Sequence, residues 1–371
     1  MKLTAFIIVM TALILLTPTA HAEGLEAFDN SVEEIKERVD TDTQERMAQL
    51  GVEKADVTQI AGMDLKQALG MLGDMISQAA KAPLTACILL TAVIILSSLL
   101  ESYTYSLRYV DTKDVMNAVT SLMVIGVLVT PITELIRTSL EAVKSAASLM
   151  LIYAPVMVAV MAFSGHVISS GGYYATVMAA SQGIAALSGA FFAPLLHIFL
   201  ALSVSSAISE RVKLSGICEL LAKLMKWSLT FAMSIFTAIL SIQSFAASAA
   251  DSVASKAVRF TLSSVIPVVG ASVSEAYKAI QGSVNLLRSG IGVFVILAVL
   301  LTFLPLITQV ILWQLSVFAA KTAAETFGVS SVTTVLGSIS TVLSVLTALI
   351  VSLASVFLIA TGALMAVGGG S

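Results

Sequence analysis

The chain has 371 residues, of which 57% are hydrophobic and 12% charged, with a net charge of −3 and a mean hydropathy of +0.97. Soluble domains carry about a quarter charged residues, so an ordinary soluble protein is excluded. Lys and Arg form no concentrated face, which argues against nucleic-acid binding.

Residues 1–22 read as a signal peptide. Lys2 supplies the positive start, Leu3 to Leu16 the apolar run and Pro18 the break, and Ala20-His21-Ala22 fits the small-x-small cleavage pattern ahead of Glu23. The apolar run is short for a retained membrane span. Residues 23–83 then read as an extracytoplasmic amphipathic helical segment. Glu23 to Ala82 hold 13 acidic and 6 basic residues, a net −7, whereas the chain from Pro83 onward is net +3. Ser31 and Glu34 make a capping-box pattern, followed at helical spacing by Val32, Ile35 and Val39. Leu65, Ala68, Leu69, Leu72, Met75, Ile76 and Ala79 form a second apolar stripe, with Asp64 as its N-cap and its end just before Pro83. So few large apolar side chains make a thin core, which suits surface helices or a partner-docking arm better than an enzyme domain.

From residue 84 to 371 the chain reads as a polytopic transmembrane domain, since a span needs roughly 20 apolar residues. Candidate spans are 84–100, 115–135, 146–163, 174–189, 191–208, 227–247, 291–312 and 332–367. The fold class expected is all-α, a membrane helical bundle of about seven to eight spans. At 1.5 Å per residue the last candidate rises about 54 Å, so it is expected to hold a surface turn or a break near Gly337. With the N-terminus outside, the densest basic loop (Arg211, Lys213, Lys223 and Lys226) falls inside, as the positive-inside rule requires. A re-entrant hairpin over 174–208 would invert the later loops. Ala179, Gly183 and Ala186 in one span, and Ser344, Ala348, Ser352 and Ser355 in another, form small-residue faces suited to close helix approach. Trp227 and Trp313 stand at span ends, where an aromatic belt would place them.

The residues supply no catalytic set. Cys87 and Cys218 are too few for a disulfide framework or a clustered zinc site, and they read as small buried hydrophobes. His166 and His197 lack carboxylates at ligand spacing, and no HExxH, GxSxG or Walker-type phosphate loop occurs. No metal or cofactor is expected. Glu134 with Arg137, and Lys321 with Glu325, are spaced to pair along a helix near span ends. Gln243, Gln309 and Gln314 are neutral groups able to bond between helices or line a cavity.

The stretch 251–290 stands out as a polar-dotted segment inside a membrane-like run, either re-entrant or lying at the interface. Val273, Tyr277, Ile280, Val284 and Leu287 share one helical face, while Glu275, Lys278, Gln281 and Arg288 fall elsewhere. Pro267 disfavours an α conformation at Ile266 and Gly270 can release the chain, so two short helices joined by an elbow are expected. The candidate partner- or lumen-contact residues are Lys256, Arg259, Pro267, Gly270, Glu275 and Arg288.

The run from Lys256 to Gly292, KAVRFTLSSVIPVVGASVSEAYKAIQGSVNLLRSGIG, resembles the signature region of the stage III sporulation protein AE family of endospore-forming bacteria. The layout of signal peptide, short polar segment and multiple spans is similar over nearly the whole chain. The resemblance implies a non-enzymatic component of the channel or secretion-like apparatus between mother cell and engulfed forespore, needed for late forespore gene expression. It implies a place in the mother-cell membrane surrounding the forespore. The partners implied are the other stage III sporulation A-operon proteins, including an ATPase and ring-forming proteins, and a forespore-side receptor. A second copy of the chain and membrane lipid complete the set. The residues alone also fit a small-solute permease or, with a catalytic pair facing across the bilayer, an intramembrane enzyme.

Overall fold

The computed structural model describes residues 33–52, 64–106, 113–163, 167–208, 215–265 and 270–366, with the backbone alone described over 244–287. The signal peptide, Ser31 and Val32 of the capping box, His166 and Pro267 lie outside the described residues. Among the described residues the chain is helical throughout, with no strand.

A small helix, α1 (Thr41–Gln49), opens on Asp40, whose carboxylate accepts from the Thr43 N–H at 3.1 Å. It closes on Gly51 at φ 75°, the left-handed conformation that glycine adopts without steric cost. The Val52 and Gly51 amides there donate back to the Met47 and Ala48 carbonyls. Met47 and Val52 bury together as the apolar contact of that turn.

Six long helical runs follow: α2 (Leu65–Ser106), α3 (Lys113–Phe163), α4 (Val167–Leu187) continued through a π-helical turn into α5 (Ala193–Ile208), α6 (Ser215–Val265), α7 (Gly270–Thr326) and α8 (Ser330–Ala366). Each run is long and apolar enough to cross a membrane, giving 6 candidate spans. The eight apolar windows therefore reduce to six helices. Windows 115–135 and 146–163 are one unbroken α3, because backbone hydrogen bonding runs through the charged residues between them without regard to side chain. Windows 174–189 and 191–208 join through the π turn at Ser188–Phe192, so no re-entrant hairpin forms. That turn sits just before Pro194, whose missing N–H falls where the hydrogen-bond register is already changing.

Two expected breaks are likewise absent. The helix does not stop at Pro83, which lies inside α2 and whose carbonyl accepts from Ser316 Oγ at 2.7 Å. Nor does α8 turn or break at Gly337. The residues between the candidate spans 291–312 and 332–367 are helical to Thr326 and turn sharply at Gly328, φ 76°. The Val329 and Gly328 amides bond back to the Ala324 and Glu325 carbonyls, so the same glycine-closed turn ends both α1 and α7.

α7 and α8 pack against each other most extensively and form the centre of the bundle. Of α8's most apolar stretch 56% is buried, against 22% for α6. Phe303 and Phe357 stack at the heart of this pair, with ring centroids 6.2 Å apart. Trp313 is buried here and belongs to the core, not to an aromatic belt. Trp227 does stay outside, stacked on Phe231. The small-residue face of α4 (Ala179, Gly183 and Ala186) is exposed, and among the described residues nothing lies within 4 Å of where a Gly183 Cβ would stand.

Candidate functional site

Polar contacts inside an apolar bundle are costly unless satisfied, so they mark what the structure holds in place. The ends of four helices are tied where α2 and α7 finish and α3 and α8 begin. There Ser98 Oγ donates to the Phe327 carbonyl at 3.3 Å, and Ser331 Oγ donates to Asn117 Oδ1 at 3.3 Å. Further along, Gln314 Nε2 donates to Thr347 Oγ1 at 2.7 Å, Lys226 Nζ to Ser344 Oγ at 3.1 Å, and Gln243 Nε2 to Thr176 Oγ1. Two of the three glutamines singled out by sequence thus bond between helices. His197 Nδ1 is satisfied by the Ala193 carbonyl at 2.7 Å on its own helix. Cys218 is buried and Cys87 half-buried.

Both ion pairs read from spacing form. Arg137 Nε meets Glu134 at 3.0 Å, and Lys321 lies 3.7 Å from Glu325. Arg137 also holds Glu141 at 2.6 Å, making a three-membered group on the exposed face of α3. The Glu141 partner sits at the i,i+4 spacing, so it was legible in the sequence and is an addition to the pair expected.

The N-terminal segment is not a free arm. Ile35, Val39, Met47, Leu50 and Val52 all join the core, and Thr43, fully buried, shares a 3.2 Å hydrogen bond with Thr302 of α7. Arg46 donates to the Leu301 carbonyl at 3.4 Å. Thr43→Val keeps the shape and removes the hydroxyl. Since Thr302 retains its bond to Ala298, the expected loss is about 1 kcal/mol. Opening of α1 should then be roughly fivefold more frequent, read as a matching rise in protease cleavage within residues 41–52.

The 251–290 residues are placed as follows. Lys256 and Arg259 lie in the last turns of α6, Gly270 begins α7 and Glu275 is in its first turns. The helices stop at Val265 and restart at Gly270, on either side of Pro267. The segments on either side of residues 266–269 are continuous with two long helices and are not short separate ones. Arg288 has described side-chain contacts: it is buried, 4% exposed, and donates through Nη2 to the Met365 carbonyl at the end of α8. Among the described residues its Nη1 has no hydrogen-bond partner. One turn on, Gly292 lies so close to Met365 that a Cβ there would overlap the methionine side chain. Sequence reasoning placed Arg288 off the apolar face, but burial beneath the α8 terminus depends on a contact 77 residues away.

The model of one family, stage III sporulation protein AE, matches residues 53–368. The chain belongs to the stage III sporulation protein AE family. The match takes in all six long helices and begins just after the docked α1 segment. A relative in Bacillus subtilis (strain 168), stage III sporulation protein AE, is 23% identical over 158 residues, which span 43% of this chain and 40% of that protein. No solved structure matches. Family membership makes this a sporulation protein, and the six membrane-length helices among the described residues are consistent with a multi-pass membrane protein.

Proposed function

We propose that the chain is a non-enzymatic membrane component of the channel or secretion-like apparatus joining mother cell and forespore, needed for late forespore gene expression. The family match across the entire helical bundle is the observation that carries this reading. The six-helix bundle supports it, being an assembly that can sit in the mother-cell membrane around the forespore. The docked N-terminal segment adds a folded surface where a partner can bind. Partners in this reading are other stage III sporulation A-operon proteins, namely an ATPase and ring-forming proteins, with a receptor on the forespore side. The contact residues proposed are Lys256, Arg259, Pro267, Gly270, Glu275 and Arg288.

The test is a late forespore reporter in a spore-forming host lacking the chain, scored after engulfment. The reporter should stay off and return on complementation. Normal reporter output with normal spores would overturn the reading and favour a general permease. Complementation with Glu275→Lys should give reduced reporter output at unchanged membrane levels, because a sign change in the first turns of α7 disturbs the charged contact proposed there. Full output from that variant would remove the charge of 251–290 from the contact surface.

A further inference from the structure

We propose that membrane hydrocarbon covers only half of the bundle, and that the other half is a helical head standing in water. The covered half is the end where α2 and α7 finish and α3 and α8 begin. The placement rests on geometry and does not depend on the sporulation reading.

The two hydrogen bonds at that end fix a common origin, with Ser98 level with Phe327 and Asn117 level with Ser331. From there, α2 is uncharged over 82–100 and α3 over 115–133, two stretches of 19 residues each. At 1.5 Å per residue each spans about 28 Å, close to the hydrocarbon thickness of about 30 Å. Exposed large apolar side chains cover these stretches and the adjoining part of α7, among them Ile88, Leu99, Val119, Leu122, Leu315 and Phe318.

Both helices turn charged at the same height. Lys81 and then Asp74 follow on α2, while Glu134, Arg137 and Glu141 follow on the exposed face of α3. Asp74 and Glu141 each lie 24 residues from the origin, or about 36 Å. A third, independent marker is α1. It docks on α7 at Leu301–Thr302, 25 residues back from Phe327, at about 37 Å, and it carries the exposed carboxylates of Asp42 and Glu45. Three elements from separate parts of the sequence therefore place water at one height, just beyond one hydrocarbon thickness. Exposed charge at a bilayer centre is expensive, so lipid does not reach it. Near the origin stand the exposed Glu219–Lys223 pair in the first turns of α6 and the Lys321–Glu325 pair in the last turns of α7, the latter 2 to 6 residues or about 3–9 Å from Phe327. α6 carries an exposed apolar row from Ile217 to Ile242 that the exposed Lys226 interrupts. The Lys226 ammonium is bonded to Ser344 Oγ, 13 residues or about 20 Å from Ser331, so α6 does not mark the outer boundary and carries one charge within the covered half.

Beyond that height the chain is still apolar, but the side chains bury one another. Tyr153 and Met157 of α3, Phe294 and Val295 of α7, and Phe357 of α8 are all within the core. The sequence window 146–163 and the first part, 291–302, of the window 291–312 are therefore head core rather than lipid-crossing segments. Because α1 and residues 33–52 dock on the head, the head lies on whichever side the N-terminal segment occupies. If that segment is exported, the head faces the space between the two membranes.

Nitroxide labels on the full chain in phosphatidylglycerol–phosphatidylethanolamine vesicles test this without regard to insertion direction. In a Cys87→Ser, Cys218→Ser background, labels at Leu122→Cys and Phe318→Cys should relax faster with oxygen, which partitions into lipid. Labels at Leu151→Cys and Tyr174→Cys, both exposed positions inside windows that read as spans, should instead relax several-fold faster with a water-soluble nickel chelate. Oxygen dominating at Leu151 and Tyr174 as it does at Leu122 would overturn the placement.

Discussion

Gly292→Leu lowers the thermal stability of the detergent-solubilised chain by about 1–3 kcal/mol, the usual cost of overpacking a well-filled site. The cause is local and identifiable. Gly292 is buried between α7 and α8, and even a single added carbon would overlap Cγ and Sδ of Met365. Those atoms are not the free tip of an exposed side chain. Met365 lies in the final turns of α8, next to the carbonyl that Arg288 holds, so moving it strains the terminus as well. The α7–α8 pair is the most extensive packing in the bundle, and the loss should appear as a lower unfolding temperature rather than a local change. Met365→Ala in the same chain clears the space and should restore most of the stability, although alone it leaves a cavity. A double variant no more stable than Gly292→Leu would show that the close approach is not what limits that site.

Arg288→Met should separate stability from function. The guanidinium is buried with one bond to the Met365 carbonyl and with Nη1 unpartnered, an arrangement costly to maintain. Replacing it by an apolar side chain of similar length removes that cost while giving up a charged hydrogen bond of about 1.5–3 kcal/mol. The two effects oppose each other, so unfolding should shift by no more than about 1 kcal/mol in either direction. On the contact role proposed for Arg288, late forespore reporter output should nonetheless fall at least tenfold. A variant that unfolds in step with its lost output would make Arg288 a structural cap on the α8 terminus, where the negative end of the helix dipole favours a cation.

Much of the architecture was legible from residues 84 to 371. A helical membrane protein follows from apolar windows of bilayer length, and the Glu134–Arg137 and Lys321–Glu325 pairs follow from helical spacing alone. The number of helices was not legible, for a specific reason. Hydropathy windows end wherever polar residues interrupt them, as at Glu134–Lys144 and around Gly189. Helices end only where backbone bonding ends, and neither interruption does that. Pro83 misled in the same way: one missing N–H does not terminate a helix that packs along its length against α7. Trp313 was placed at an interface by its position in the window, whereas the bundle buries it.

The sequence by itself therefore determined the class of protein, its family resemblance and its local pairings, because composition, spacing and periodicity are properties of neighbouring residues. Tertiary structure decided which apolar faces meet each other and which meet the surroundings. Most of the uncharged α8 is buried and so is the basic Arg288, while Leu122 is apolar and exposed. A membrane protein draws on the same apolar side chains for its core and for its lipid contact. Hydrophobicity alone cannot assign them; only helix packing over separations such as Thr43 to Thr302, or Arg288 to Met365, makes that division.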